Sequence, residues 1–278
     1  MIGDIRYKQA LIRGIQERYQ FTPKIEALNS VLSPNELKVF LRNIPSRFFD
    51  VGDSFENVRE GNYRVNLHTH TIKSDGSMTP LEYLEQSVRY ADKAAKIKKD
   101  NFPPYISATT DHNNFEASQE VIAMIADEPE KYKNFRFAAG CEFMFLDEES
   151  GFKYPAFEAV GLGVNPFAKL FLDKFNPINI INKIKEFGAV LSYAHPIRYC
   201  QGNGQTQAFI DYLKRIGIDG IESNYQYVGF CESSELSEQI LESKRIAKEN
   251  NLFETGGTDT HGSNIFHARA QKILDTLI

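Results

Sequence analysis

Four of the six histidines, His68, His70, His112 and His261, stand within a few residues of a carboxylate in short motifs, a pairing that suits divalent cations because neutral imidazole and carboxylate oxygen both ligate them. His68 and His70 are one residue apart, so on an extended strand both rings face the same way and can grip one ion. Asp75 follows in Ser74-Asp75-Gly76, a turn sequence able to return a carboxylate to that pair. Asp111-His112 comes directly after a β-branched apolar run, and Glu142 follows another short run, where a carboxylate can bridge two ions. His195 precedes Pro196 at the end of a further run, and Asp259 and His261 lie among glycines that let backbone crowd a ligand. Each motif alone also fits a cap, a turn or a surface pair; together they indicate one site.

The elements that must position these groups read as alternating strands and helices. Strand-like runs cover Arg64–Leu67, Tyr105–Thr109, Phe135–Ala139, Ala156–Leu162, Ala189–Tyr193 and Gly220–Ser223. Helical stretches start at the capping box Thr79-Pro80-Leu81-Glu82 and cover roughly Asn179–Glu186, Thr206–Ile216 and Ser234–Asn250. Such alternation predicts a parallel α/β sheet or barrel whose strand ends gather distant ligands on one rim. Residues 1 to about 60 read as a helical N-terminal extension, with one helix over Ile5–Tyr19 and a second opened by the capping box Ser33-Pro34-Asn35-Glu36. The expected division is therefore 1–60 for the extension and 61–278 for the catalytic domain.

With 42% hydrophobic and 25% charged residues in 278, the chain can bury a core and is not of disordered composition. Three cysteines without CxxC spacing favour neither a disulfide framework nor a zinc ribbon, and a reducing, cytoplasmic setting is expected. No stretch suits a membrane span. The net charge of −5 argues against broad attraction to nucleic-acid backbones but leaves room for a local basic pocket.

The ordered set, HTH with SDG, TDH, GCE, AHP and GTDTHG, resembles the PHP (polymerase and histidinol phosphatase) family from about Tyr63 to His261. The resemblance implies a distorted (β/α)7 barrel, TIM-like, whose rim holds two or three divalent ions (Mn, Fe or Zn) and hydrolyses phosphate esters. Carried across by motif, the ligands are His68, His70, Asp75, His112, Glu142, His195, Asp259 and His261. One position departs: where relatives carry a histidine in an HIVGL-like strand, Phe157-Glu158-Ala159-Val160-Gly161-Leu162 places Glu158, which either ligates with altered charge or leaves one ion missing. Arg198, in Ala194-His195-Pro196-Ile197-Arg198-Tyr199, is similar to the arginine of the branch containing nucleoside 3′,5′-bisphosphate phosphatases and RNase AM-type exoribonucleases. A guanidinium there could hold a second phosphate bidentately, or pair with a surface acid.

The resulting expectation is a metal-dependent phosphoesterase acting on a small phosphorylated nucleotide or the 5′-phosphorylated end of a short RNA. Glu142 would bridge ions, and Asp259 or His261 would pass a proton to the leaving oxygen. The alternatives are a histidinol-phosphate or other phosphomonoester phosphatase, and a non-catalytic metal-binding barrel. Glu222 reads as an outer partner of the ligands, Asp111 as a group that orients one of them or polarises water, and His267 as structural or exposed. Tyr193, Tyr199, Tyr225 and Tyr227 could stack on a base, or simply pack.

Overall fold

The computed structural model describes residues 2–43, 65–96, 105–196, 206–225 and 233–263. Its main elements are α1 (Ile2–Tyr19), α2 (Pro34–Asn43), β1 (Val65–Asn66), α3 (Pro80–Lys96), β2 (Ile106–Thr109), α4 (Glu116–Asp127), β3 (Arg136–Leu146) and β4 (Ala156–Leu162), then β5 (Asn176–Pro177), α5 (Ile181–Ile184), β6 (Val190–Tyr193), α6 (Gln207–Ile216), β7 (Gly220–Tyr225), α7 (Ser233–Asn250) and β8 (Phe253–Gly257). Both capping boxes form. Ser33 N donates to Glu36 Oε2 at 2.8 Å and Glu36 N to Ser33 Oγ at 3.3 Å; the Thr79 and Glu82 pair does the same at 2.8 and 3.1 Å.

The sheet runs β1-β2-β3-β4-β6-β7-β8, with β5 added beside β3. It comes back on itself beyond β1 and β8: Leu67 N donates to Gly256 O, Asp259 N to His68 O and His70 N to Thr260 O, at 2.9 to 3.0 Å. The result is a distorted α/β barrel. The expected uniform parallel alternation fails at one strand, because β4 is antiparallel to both β3 and β6 while the other neighbours on the path are parallel. Only residues 147–155 separate β3 from β4, fewer than the dozen or so that a parallel crossover needs.

Strand alternation splits the core in two. Inward residues Val65, Leu67, Ile106, Ala108, Ala138, Val160, Leu162 and Val190 form one cluster, closed from below by Leu37 and Leu41 of α2. The second lies outside the wall, where Phe137, Phe143 and Leu191 meet Leu84 of α3, Val121 of α4 and Tyr7, Leu11 and Ile15 of α1. The segment from Ser30 through α2 thus sits at the barrel floor, with α1 outside the wall: Phe137 N donates to Ser30 O and Leu32 N to Phe137 O at the start of β3, both at 2.8 Å. Arg42 stacks over Phe253 at the start of β8. No helix of the described residues is long and apolar enough to cross a membrane.

Candidate metal centre

Glu142 follows the inward Ala138 by four residues and Glu158 precedes the inward Val160 by two, so strand alternation turns both carboxylates into the barrel. Glu142 lies within β3 and not at its end, since β3 continues four residues past it. Glu158 stands near the start of β4; it reaches the rim because β4 runs against its neighbours. Around them the structure gathers His68, His70, Asp75, His112, His195, Asp259 and His261. Arg198, Tyr199, Tyr227, His267 and the Tyr225 side chain lie outside the described residues.

Three ligand groups share members: His70, Asp75, His112 and His261; His68, His70, Glu142 and Asp259; and His112, Glu142 and Glu158. Within each, the donor atoms lie within 4.8 Å of one another. An ion with bonds of about 2.0–2.2 Å holds ligand atoms within about 4.4 Å of each other, so small rotamer adjustments suffice. Glu142 Oε2 is 3.1 Å from His112 Nδ1 and 3.2 Å from both His68 Nε2 and His70 Nε2. Among the described residues, none of these contacts gives that oxygen a well-formed hydrogen bond, and buried His261 Nε2 makes none either. Buried lone pairs pointed at one another instead of at donors fit cations between them.

Outer partners fix the rings. His68 Nδ1 is 3.1 Å from Glu222 Oε1, and His261 Nδ1 is 2.8 Å from the Asp259 carbonyl. Both partners only accept, so the proton sits on Nδ1 and Nε2 faces the centre. Glu222 also accepts from His195 N at 2.9 Å, and one carboxylate thereby sets two histidines. Asp111 belongs to none of the three groups; it accepts from Thr71 N (2.8 Å) and Ser74 Oγ (2.7 Å), pinning the loop between His70 and Asp75.

Glycine permits two close approaches. A Cβ on Gly76 would lie 2.5 Å from the His70 carbonyl carbon, and one on Gly257 would lie 2.4 Å from His68 N. His195 and Asp259 hold left-handed φ of 30° and 45°. Each costs about 1 kcal/mol or more, kept where surrounding bonds dictate the position. Tyr193 offers no stacking face: it is buried against Phe157 and Phe209.

Burial would lower the pKa values of His68, His70 and His195, but the carboxylates outweigh it: Glu142 and Glu222 hold His68 well above its ordinary value, Asp259 and Glu142 raise His70 to about 9, and Glu142 raises His195. Burial alone would raise Glu142 and Asp259, yet His68 and its neighbours hold both well below the carboxylate range. The raised histidines stabilise the metal-free fold below their ordinary 6.5, and that contribution is lost as pH climbs through about 9 for His70. The depressed acids stabilise it above their ordinary 3.8 to 4.5, a contribution lost on acidification. Metal-stripped protein is expected to melt highest between about pH 4.5 and 6.5 by calorimetry. A maximum in the alkaline range would contradict this charge arrangement.

No family model and no curated protein matches the chain. An amidohydrolase from Chromobacterium violaceum, solved with sulfate and no metal, aligns over 77% of this chain and 96% of its own at 15% identity, TM-score 0.50. A protein from Bifidobacterium adolescentis, named by inference as a metal-dependent phosphoesterase, aligns over 72% of this chain and 88% of its own at 17% identity, TM-score 0.49. A two-domain protein from Bacteroides vulgatus containing a predicted PHP-like metal-dependent phosphoesterase aligns over 72% of this chain and 52% of its own at 16% identity, TM-score 0.41. At this identity the first of these likenesses speaks for the fold and not the chemistry.

Proposed function

We propose that this chain is a metal-dependent phosphoesterase of the PHP type, which holds two or three divalent ions (Mn, Fe or Zn) and cleaves phosphate esters of small nucleotides or RNA ends. The observation that carries this reading is the convergence of His68, His70, His112 and His261 with Asp75, Glu142, Glu158 and Asp259 in three groups with shared members, beside which His195 meets Glu142. The full motif order from His68 to His261 supports the family.

Held by these residues, the ions supply an acidified water and neutralise charge on a phosphate. The protein's own groups do the rest. Glu142 offers one oxygen to His68, His70 and His112 and the other to His195 at 2.7 Å, so it ties the ligand groups together. Asp259 Oδ1 lies 2.9 Å from His70 Nε2 and 3.4 Å from His68 Nε2. There Asp259, ionised at neutral pH, can accept a proton and pass it on to the leaving oxygen, with His261 held by its carbonyl as the other candidate. Arg198 would clamp a second phosphate.

Glu158 brings a carboxylate to the group formed with His112 and Glu142, and His195 Nε2 is 3.6 Å away. It favours an oxygen-preferring ion there.

The test is metal analysis of protein purified without chelator, alongside phosphate release from a nucleoside 3′,5′-bisphosphate, a 5′-phosphorylated oligoribonucleotide and histidinol phosphate. Bound metal with preference for the first two supports the reading; no metal and no turnover rejects it. Glu158→Ala should carry one ion fewer than the unaltered protein, and an unchanged metal content would remove Glu158 from the ligand set.

A further inference from the structure

β3 rises beyond the metal centre and carries a second short strand with it. On the edge of β3 that first pairs with β2, His112 is bridged to Glu142; further along, Phe145 and Leu146 pair with Asn176 and Pro177 of β5. Asn113 fills the interval. Its Oδ1 accepts from Asn176 Nδ2 at 2.7 Å and from Met144 N at 3.3 Å, and its Nδ2 donates to Lys174 O at 3.1 Å. Asn176 is buried and also donates to Met144 O and accepts from Asp173 N. Asn113 adopts a left-handed φ of 46°, which asparagine tolerates better than most residues. The residue next to His112 is thus bonded directly to the segment that presents Lys174 and Phe175.

Phe145 lies three residue steps along the strand from Glu142, a rise of about 10 Å, so this segment stands a short step above the metal rim. Phe175 is 40% exposed, and among the described residues it joins neither apolar cluster. Lys174 is exposed and places its ammonium 5.7 Å from the Phe175 ring centroid. A rigidly anchored aromatic face with a cation beside it, exposed next to a phosphate-handling centre, suits a planar base attached to a phosphate.

We propose that Lys174 and Phe175 form a subsite for the base of a nucleotide whose phosphate lies at the metal centre. The proposal rests on the phosphoesterase reading and adds what that reading leaves open, the group that selects a nucleotide over other phosphate esters.

The test compares kcat/KM for adenosine 3′,5′-bisphosphate with that for ribose 5-phosphate, which carries no base, in metal-loaded wild type, Phe175→Ala and Phe175→Tyr. The preference for the nucleotide should fall about tenfold in Phe175→Ala, within the span that stacking of one base supplies, and return in Phe175→Tyr. Should the alanine variant misfold, Phe175→Leu keeps apolar bulk without a π face and should show the same loss. An unmoved preference overturns the subsite while leaving the phosphoesterase intact. If wild type cleaves neither compound, calorimetric binding of adenosine 3′,5′-bisphosphate decides the subsite. Weaker binding in Phe175→Ala supports it; equal binding overturns it.

Discussion

Asp259→Asn is expected to lower kcat by about 10²–10⁴, the range that loss of a positioned acid–base group produces, while the protein still folds. Asparagine is the informative replacement because Asp259 holds a φ of 45°, a region that asparagine visits readily and alanine resists. It keeps the shape and removes the charge that faces His68 and His70. Circular dichroism should overlay the wild type, so a lost rate reports on chemistry and not on unfolding. A near-normal kcat with the best substrate would reject Asp259 as an essential ligand or proton carrier.

The same residue shows what the sequence discloses. Asp259 and His261 stand out because a Gly-Gly-Thr-Asp-Thr-His-Gly run has few other uses, and Gly257 does lie where any side chain would collide with His68. The capping boxes at Ser33 and Thr79 were equally legible, because their hydrogen bonds close within four residues. β8 is not legible as a strand, since Phe-Glu-Thr-Gly-Gly lacks the β-branched alternation by which strands are recognised. α4, over Glu116–Asp127, carries no start signal although its apolar face is buried; its N-cap position is Phe115, which makes no side-chain cap.

The reversal of β4 was beyond local reading, because strand direction depends on the length of a connection and on partners distant in the chain. It matters for chemistry. In an all-parallel barrel the start of a strand faces the floor, and Glu158 would point away from every other ligand. With β4 reversed, Met144 pairs with Glu158 and the carboxylate comes beside His112 and Glu142. Asn113 and Asn176 gave no motif at all, since a buried amide pair becomes visible only when two separate segments are brought together.

Glu142→Gln should have the broadest effect of any single substitution at this rim. Glu142 belongs to two of the three ligand groups, and its second oxygen receives His195, so no other carboxylate there touches as many histidines. An amide keeps the volume but supplies only one weak ligand oxygen and turns its NH2 toward imidazole nitrogens. Bound metal should therefore fall together with turnover, by well over the roughly 10–100-fold that loss of an outer partner costs. Glu222→Gln is the matched comparison, because Glu222 sets His68 and His195 from behind without facing the centre. Excess metal should restore much of the rate in Glu222→Gln, where affinity alone is weakened, and little in Glu142→Gln, where the shared ligand is gone. Equal rescue of the two by added metal, read by elemental analysis and phosphate release, would show that Glu142 does not join the ligand groups and that the ions, if bound, are held independently.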